Sequence, residues 1–237
     1  MNLKPLIGSA FFAVFASLPL AATADILVPG TSDPWLAGMP NGSTASSGDS
    51  APAQSPVFAG NFNAGDILQF TVSINPGAGP VGYCPGCTSP TPDGTGFNLH
   101  TTGAENGISN VNAPTNSLIG VFLGNDAPNG NPAPATLDFG SLGTSFLMLS
   151  PLLQQAFFIG DGLTGTGSGT VQSFVAPTGA TRLFLGTMDG FGWYNNVGAY
   201  DVAINTRNPT VPLPGALPLI LSGLGLLGIT LRKRNVL

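Results

Sequence analysis

The residues best placed to do chemistry in this chain lie between Leu183 and Val202. A hydrophobic run ends at Asp189, a loop of glycines and aromatics follows, and Asn195-Asn196 lead through Gly198 into a second run. One carboxylate and two neighbouring amide carbonyls are hard oxygen donors, of which calcium takes six to eight. Backbone carbonyls of a Gly-rich loop can add to the set. The same residue types also shape a hairpin turn through local hydrogen bonding. Taken alone, they leave a calcium site and a plain turn equally open. Phe191, Trp193 and Tyr194 would offer aromatic faces beside anything the oxygens hold.

Other chemistry fares worse. The single histidine, His100, sits in a Gly/Thr/Asn-rich stretch with no acidic partner at a recognisable spacing. Gly165-Thr166-Gly167-Ser168-Gly169 lacks the G-x-S-x-G order of a nucleophile elbow and reads as a flexible turn. With Glu105 the lone glutamate, an acid/base pair would have to be built from two aspartates. The chain therefore reads as non-enzymatic. Cys84-Pro85-Gly86-Cys87 has no βαβ context for a redox pair, and with His100 it is one ligand short of a closed zinc site. It reads as a small disulfide pinning a long loop.

The elements that must position these residues are strands. The 237 residues include 34 Gly and 22 Pro, yet 43% are apolar and only 7% charged. Charge-laced surface helices have nothing to solvate them, whereas the apolar fraction is ample for a core. Between Asp25 and Pro209 two bases, Arg182 and Arg207, face all eleven acids, with no lysine. Such a body cannot neutralise phosphates, which excludes nucleic acid; it suits neutral ligands and hard cations. Ile67 to Ile74 alternates, with Leu68, Phe70, Val72 and Ile74 on one face. Further strand-like runs are Leu118–Leu123, Phe157–Ile159, Val171–Val175, Arg182–Gly186 and Ala199–Ile204. Seven or eight strands with long loops predict an all-β fold, a two-sheet antiparallel jelly-roll sandwich over residues 57–206. Ser145 to Phe158 also fits helical spacing, but Pro151 limits it to a short turn or helix. Residues 25–56 read as a Gly/Pro/Ser-rich leader, an exposed connecting segment.

Both ends read as targeting segments. Lys4, an apolar run from Leu6 to Leu20 and Ala22-Thr23-Ala24 predict a signal peptide over residues 1–24, hence export. Leu213 to Leu231 is nineteen residues without a charge, about 28 Å as a helix and enough to cross a membrane. Arg232, Lys233 and Arg234 follow and would stay on the cytoplasmic side. The bland reading of residues 207–237 is a membrane anchor. The ordered pattern of Val211-Pro212-Leu213-Pro214, Leu221-Ser222-Gly223-Leu224-Gly225 and the basic end resembles the PEP-CTERM sorting signal, with Leu213 where the commonest form has Glu. That resemblance implies an exosortase-type membrane protease as partner, removal of the tail, and release from the inner membrane to the cell surface or extracellular matrix.

The body carries a second resemblance. Ala64-Gly65-Asp66, Pro92-Asp93-Gly94, Leu118-Ile119-Gly120, Phe157-Phe158-Ile159-Gly160 and the Asp-loop-Asn-Asn-x-Gly ending occur in the order seen in the calcium-dependent galactophilic bacterial lectins. Those are β-sandwiches of the galactose-binding-like class. The resemblance implies calcium held by Asp189, Asn195 and Asn196, by a loop carbonyl of Gly192 or Trp193, and by a carbonyl from an earlier loop, assigned to Tyr83. The metal would hold two sugar hydroxyls, with Asp189, Trp193, Asn195 and Asn196 as the sugar-binding set. The loop is one residue shorter than the lectin pattern, and no role is carried to His100. The expected function is a calcium-assisted module for extracellular polysaccharide or a galactoside-like glycan. The alternative is a structural matrix or surface protein of the same fold with no specific ligand.

Overall fold

The computed structural model describes residues 25–84 and 86–207; the signal-peptide and sorting-signal expectations fall outside them. Among the described residues no helix is long and apolar enough to cross a membrane. The chain runs through β1 (Ile26–Pro29), β2 (Val57–Asn61), β3 (Ile67–Ile74), β4 (Thr95–Leu99), β5 (Val111–Thr115) and β6 (Leu118–Leu123). After β7 (Leu137–Asp138) comes a single helical turn, α1 (Phe139–Leu142), then β8 (Met148–Leu149), β9 (Ala156–Phe158), β10 (Leu163–Gly165) and β11 (Ser168–Val171). Finally come β12 (Ser173–Val175), β13 (Arg182–Thr187) and β14 (Ala199–Arg207). The all-β expectation holds.

Two sheets matter for function. One has the order β1-β14-β3-β12-β8, the other β2-β13-β6-β9. Smaller sheets β4-β5-β7 and β10-β11 flank them. Pairing is antiparallel except for two short pairs, β12 with β8 and β5 with β7. The strongest alternation gives the longest register: β14 pairs β3 from Tyr200↔Ile74 to Arg207↔Ile67. Leu68, Phe70 and Val72 turn inward from β3, as their period-two spacing dictates. Leu118–Leu123 is apolar at every position and is buried at every position, because β6 lies between β13 and β9.

The core runs between these sheets. Phe157 of β9 stacks on Phe122 at 5.4 Å and meets Phe174 of β12, in the other sheet, at 5.6 Å. Phe174 meets Phe70 edge-on at 5.1 Å. Each such ring contributes roughly 1.5–3 kcal/mol through burial, and each pair about 0.5–1.5 more. Gly120 is what lets the rings close: a Cβ there would stand 2.5 Å from the Phe157 ring.

Three expectations are corrected. Val171–Val175 is not one strand but two, β11 and β12, broken at the fully buried Gln172. Its amide donates to the Thr144 and Phe146 carbonyls, so the chain changes sheet there. The helical option for Ser145–Phe158 gives way to β8 and β9 around Pro151 and a left-handed Gln154. The leader is not an exposed connector. β1 pairs with β14, Trp35 and Leu36 are buried, and the Trp35 indole donates to the Ser109 carbonyl at 3.0 Å. Its Gly/Pro/Ser composition supplies self-bonded turns that carry a few large apolar anchors inward.

Candidate functional site

The last strand of one sheet and the last strand of the other are joined by residues 188–198, so the candidate loop bridges the two sheets. Thr187 ends β13, Met188 is buried, and Asp189 begins the loop. A short 3-10 turn, Trp193–Asn195, follows Gly192, whose φ is +78°. Gly198 leads into β14 with φ +79°; a Cβ there would collide with the Pro80 carbonyl. That position needs glycine for both reasons.

The loop is gripped from outside. Asp49, fully buried, accepts from the Trp193 N–H at 2.9 Å and the Tyr194 N–H at 2.8 Å. The Trp193 indole is also fully buried, donates to the Thr187 carbonyl at 2.8 Å, and packs against Trp35 at 5.4 Å. Trp193 therefore offers no face to a sugar. It is a core anchor of the loop, a role its Gly-flanked position did not reveal. The exposed rings are Phe191, Tyr194 and Tyr83.

Tyr83 arrives from the far side. Gly82 exchanges backbone hydrogen bonds with Val197, and the Cys84–Cys87 disulfide closes the small loop that follows. Tyr83, Asn98, Thr115, Asp189, Phe191 and Asn195 then line one open cleft of about 360 Å³. Three expected residues, Tyr83, Asp189 and Asn195, are thus brought together, and Asn98 and Thr115 were missed. Asn196 lies below, buried, its amide donating to the Gly30 carbonyl at 3.0 Å.

The electrostatics of the floor are unusual. Asp189 Oδ1 accepts from the Gly190 N–H at 2.6 Å, but its Oδ2 and Asn196 Oδ1 are both buried without a hydrogen-bond partner. Leaving a buried acceptor unpaired costs about 1–3 kcal/mol, more for a charged one. Burial pushes the Asp189 carboxyl above its ordinary value, against the Gly190 N–H, the Asn196 amide and the Phe191 N–H, while Asp49 pushes it further up. Asp33, deeper in, is held well above its ordinary value by burial and by Asp49, Glu105 and Asp189.

The oxygens gathered here are hard donors. Among the described residues no three His, Cys, Asp or Glu side chains gather as a metal cluster. A cation here would rest on one carboxylate plus amide and backbone oxygens, a hard set. Gly192 and Trp193 carbonyls already accept from Asn195 and Asn196 N–H at 3.4 and 3.0 Å, leaving each one further lone pair. His100 is elsewhere: it is 1% exposed, stacks on Trp35 at 3.6 Å, and its Nδ1–H donates to the Gly103 carbonyl at 2.7 Å. Burial lowers its pKa, and its Nε2 lies 3.2 Å from the Ser46 hydroxyl. The chain matches no known protein family, no curated protein and no solved structure.

Proposed function

We propose that this chain is an exported, non-catalytic carbohydrate-binding module in which calcium completes the sugar site. The body is read as a two-sheet jelly-roll sandwich of the galactose-binding-like class, with the cleft at the edge where β13 hands over to β14. One observation carries the reading: Asp189 Oδ2 and Asn196 Oδ1 are buried acceptors with no donor, beneath a cleft free of basic residues. Asp189, Asn195 and Asn196 would hold the metal, with the Tyr83 carbonyl and one of Gly192 or Trp193. Bound calcium supplies a Lewis-acidic centre for two adjacent hydroxyls of a neutral sugar. Phe191 and Tyr83, about half exposed, would pack on the apolar face of that ring. The acidic body disfavours polyanionic ligands and nucleic acid.

The ends set the destination. The apolar run after Lys4 would direct export, and Val211-Pro212-Leu213-Pro214 with Arg232-Lys233-Arg234 would hold the chain in the inner membrane until an exosortase-type protease removes the tail. The product would lie at the cell surface or in the polysaccharide matrix. A glycan array probed with calcium and again with chelator tests the function. Binding of neutral, galactoside-like glycans only with calcium is expected. Calcium-independent binding removes the mechanism, and no binding under either condition leaves the structural-protein reading.

A further inference from the structure

Asn98 owes its place in the cleft to an irregularity in β4. The strand pairs with β5 at Thr95↔Thr115, the register then slips, and the next pairs are Phe97↔Pro114, Asn98↔Ala113 and Leu99↔Asn112. The extra residue is Gly96, whose φ of +58° is the left-handed position of a glycine bulge. In an unbroken ladder Phe97 would stand opposite Ala113 and Asn98 opposite Asn112. Opposed residues point to the same face of a sheet, and Ala113 is fully buried. A regular strand would therefore turn the Phe97 ring inward and the Asn98 amide outward. The bulge reverses them. Phe97 is left 53% exposed, while Asn98 joins Asp189 and Thr115 in lining the cleft.

Packing does not account for that exchange. It takes a phenyl ring out toward water and brings an amide in, against the hydrophobic effect. Nor does the amide gain a partner within the fold, since no hydrogen bond among the described residues engages it. It rests instead on the loop that carries Asp189. The Thr101 N–H donates to the Gly190 carbonyl at 2.9 Å, and a Cβ on Gly190 would stand 2.7 Å from Asn98 Nδ2. The φ of Gly190 is not left-handed, so its backbone does not demand glycine; the room taken by the amide does. A bulge at Gly96 and a bare Cα at Gly190 thus serve one side chain.

We infer that Asn98 is the specificity-determining residue of the sugar site. Its amide hydrogen-bonds a third hydroxyl of the ring whose two adjacent hydroxyls the metal holds. The inference rests on the calcium-assisted carbohydrate reading above and supplies what coordination alone lacks. A metal that grips two neighbouring hydroxyls reads only their relative orientation. An amide set against a further hydroxyl discriminates more, because a sugar without that group leaves a desolvated donor and acceptor unpaired. Phe97, put out by the same bulge, lies on the opposite face of β4 and takes no part.

The test uses the full-length chain in detergent with saturating calcium, and methyl β-galactoside with its monodeoxy derivatives as probes. Asn98→Ala removes the amide; Gly190→Ala keeps it and adds the Cβ that would push it from its place. Each variant should bind methyl β-galactoside about tenfold more weakly. In the unmutated chain one derivative, lacking a hydroxyl that the metal does not hold, should also lose about tenfold. In Asn98→Ala that same derivative should bind as well as the parent sugar, which a purely structural residue would not produce. Calcium titrated without sugar should bind both variants as it binds the unmutated chain. Undiminished sugar affinity in Asn98→Ala, or a weakened one with every deoxy penalty unchanged, overturns the inference while leaving the site. Altered calcium affinity in Asn98→Ala overturns it too, by giving the amide to the metal. Should Asn98→Ala not fold, unaltered sugar affinity in Gly190→Ala overturns it equally. An unmutated chain that binds none of these sugars overturns the carbohydrate reading, and this inference with it.

Discussion

Two glycine-rich loops, headed by Asp161-Gly162 and Asp189-Gly190, solve the same problem in opposite ways. In the β10–β11 hairpin, Asp161 is buried and satisfied by its own loop: Oδ1 accepts from the Leu163 N–H at 2.8 Å and Oδ2 from the Gly167 N–H at 2.6 Å. In the bridging loop, Asp189 is equally buried, yet its Oδ2 accepts from nothing. The organising acid there is Asp49, 144 residues before Trp193, whose N–H it holds. Asp49 holds the backbone, and Asp189 Oδ2 is left without a hydrogen-bond partner. A carboxylate that shapes its loop and one whose loop is shaped by another acid look alike in sequence; they differ in where the loop's own N–H groups go.

Removing the external anchor breaks that contrast most severely. Asp49→Ala leaves the Trp193 and Tyr194 N–H groups without their acceptor and should cost roughly 3–4 kcal/mol in denaturant unfolding. It should also abolish calcium binding, since the loop no longer holds its shape. Asp161→Ala should cost less, roughly 2–3 kcal/mol, because two backbone bonds are lost while repulsion from Asp93 is relieved. Its calcium affinity should be that of the unmutated chain. A calcium defect in Asp161→Ala would mean that the hairpin is not separate from the site.

The smallest effect is a pH dependence at Asp33. Burial holds this carboxyl well above its ordinary value, with Asp49, Glu105 and Asp189 adding to the rise. Between the unfolded and folded values the folded protein keeps a proton that the unfolded chain has released. Stability from this group is therefore present at low pH and lost as pH rises through the folded value. Asp33→Asn cannot lose that proton. In chelator, its melting temperature relative to the unmutated chain should rise as pH climbs out of the ordinary carboxylate range and level off once the folded value is passed. A constant difference would show that Asp33 does not titrate in that window.

How much of this was legible follows from range. β3, β6 and β14 could be read because alternation or continuous apolarity is a local record of burial on one or both faces. The Asp189-to-Gly198 stretch could be proposed as a site from sequence because its oxygens lie within a few residues of each other. Asp49 could not, since a Ser-Gly-Asp-Ser turn looks the same whether its carboxylate faces water or grips a loop far along the chain. Trp193 misled for the same reason: an aromatic between a glycine and a tyrosine reads as exposed, and only Asp49 and Trp35 turn it inward.

In the proposed calcium site Asp189, and not Asp161, is the carboxylate that meets the metal. Isothermal calcium titration of the full-length chain beside Asp189→Ala and Asp161→Ala tests it most directly. One calcium per chain is expected in the unmutated protein and in Asp161→Ala, and none in Asp189→Ala, with the three folded alike by circular dichroism. Calcium binding that survives in Asp189→Ala, or is absent from the unmutated chain, contradicts it.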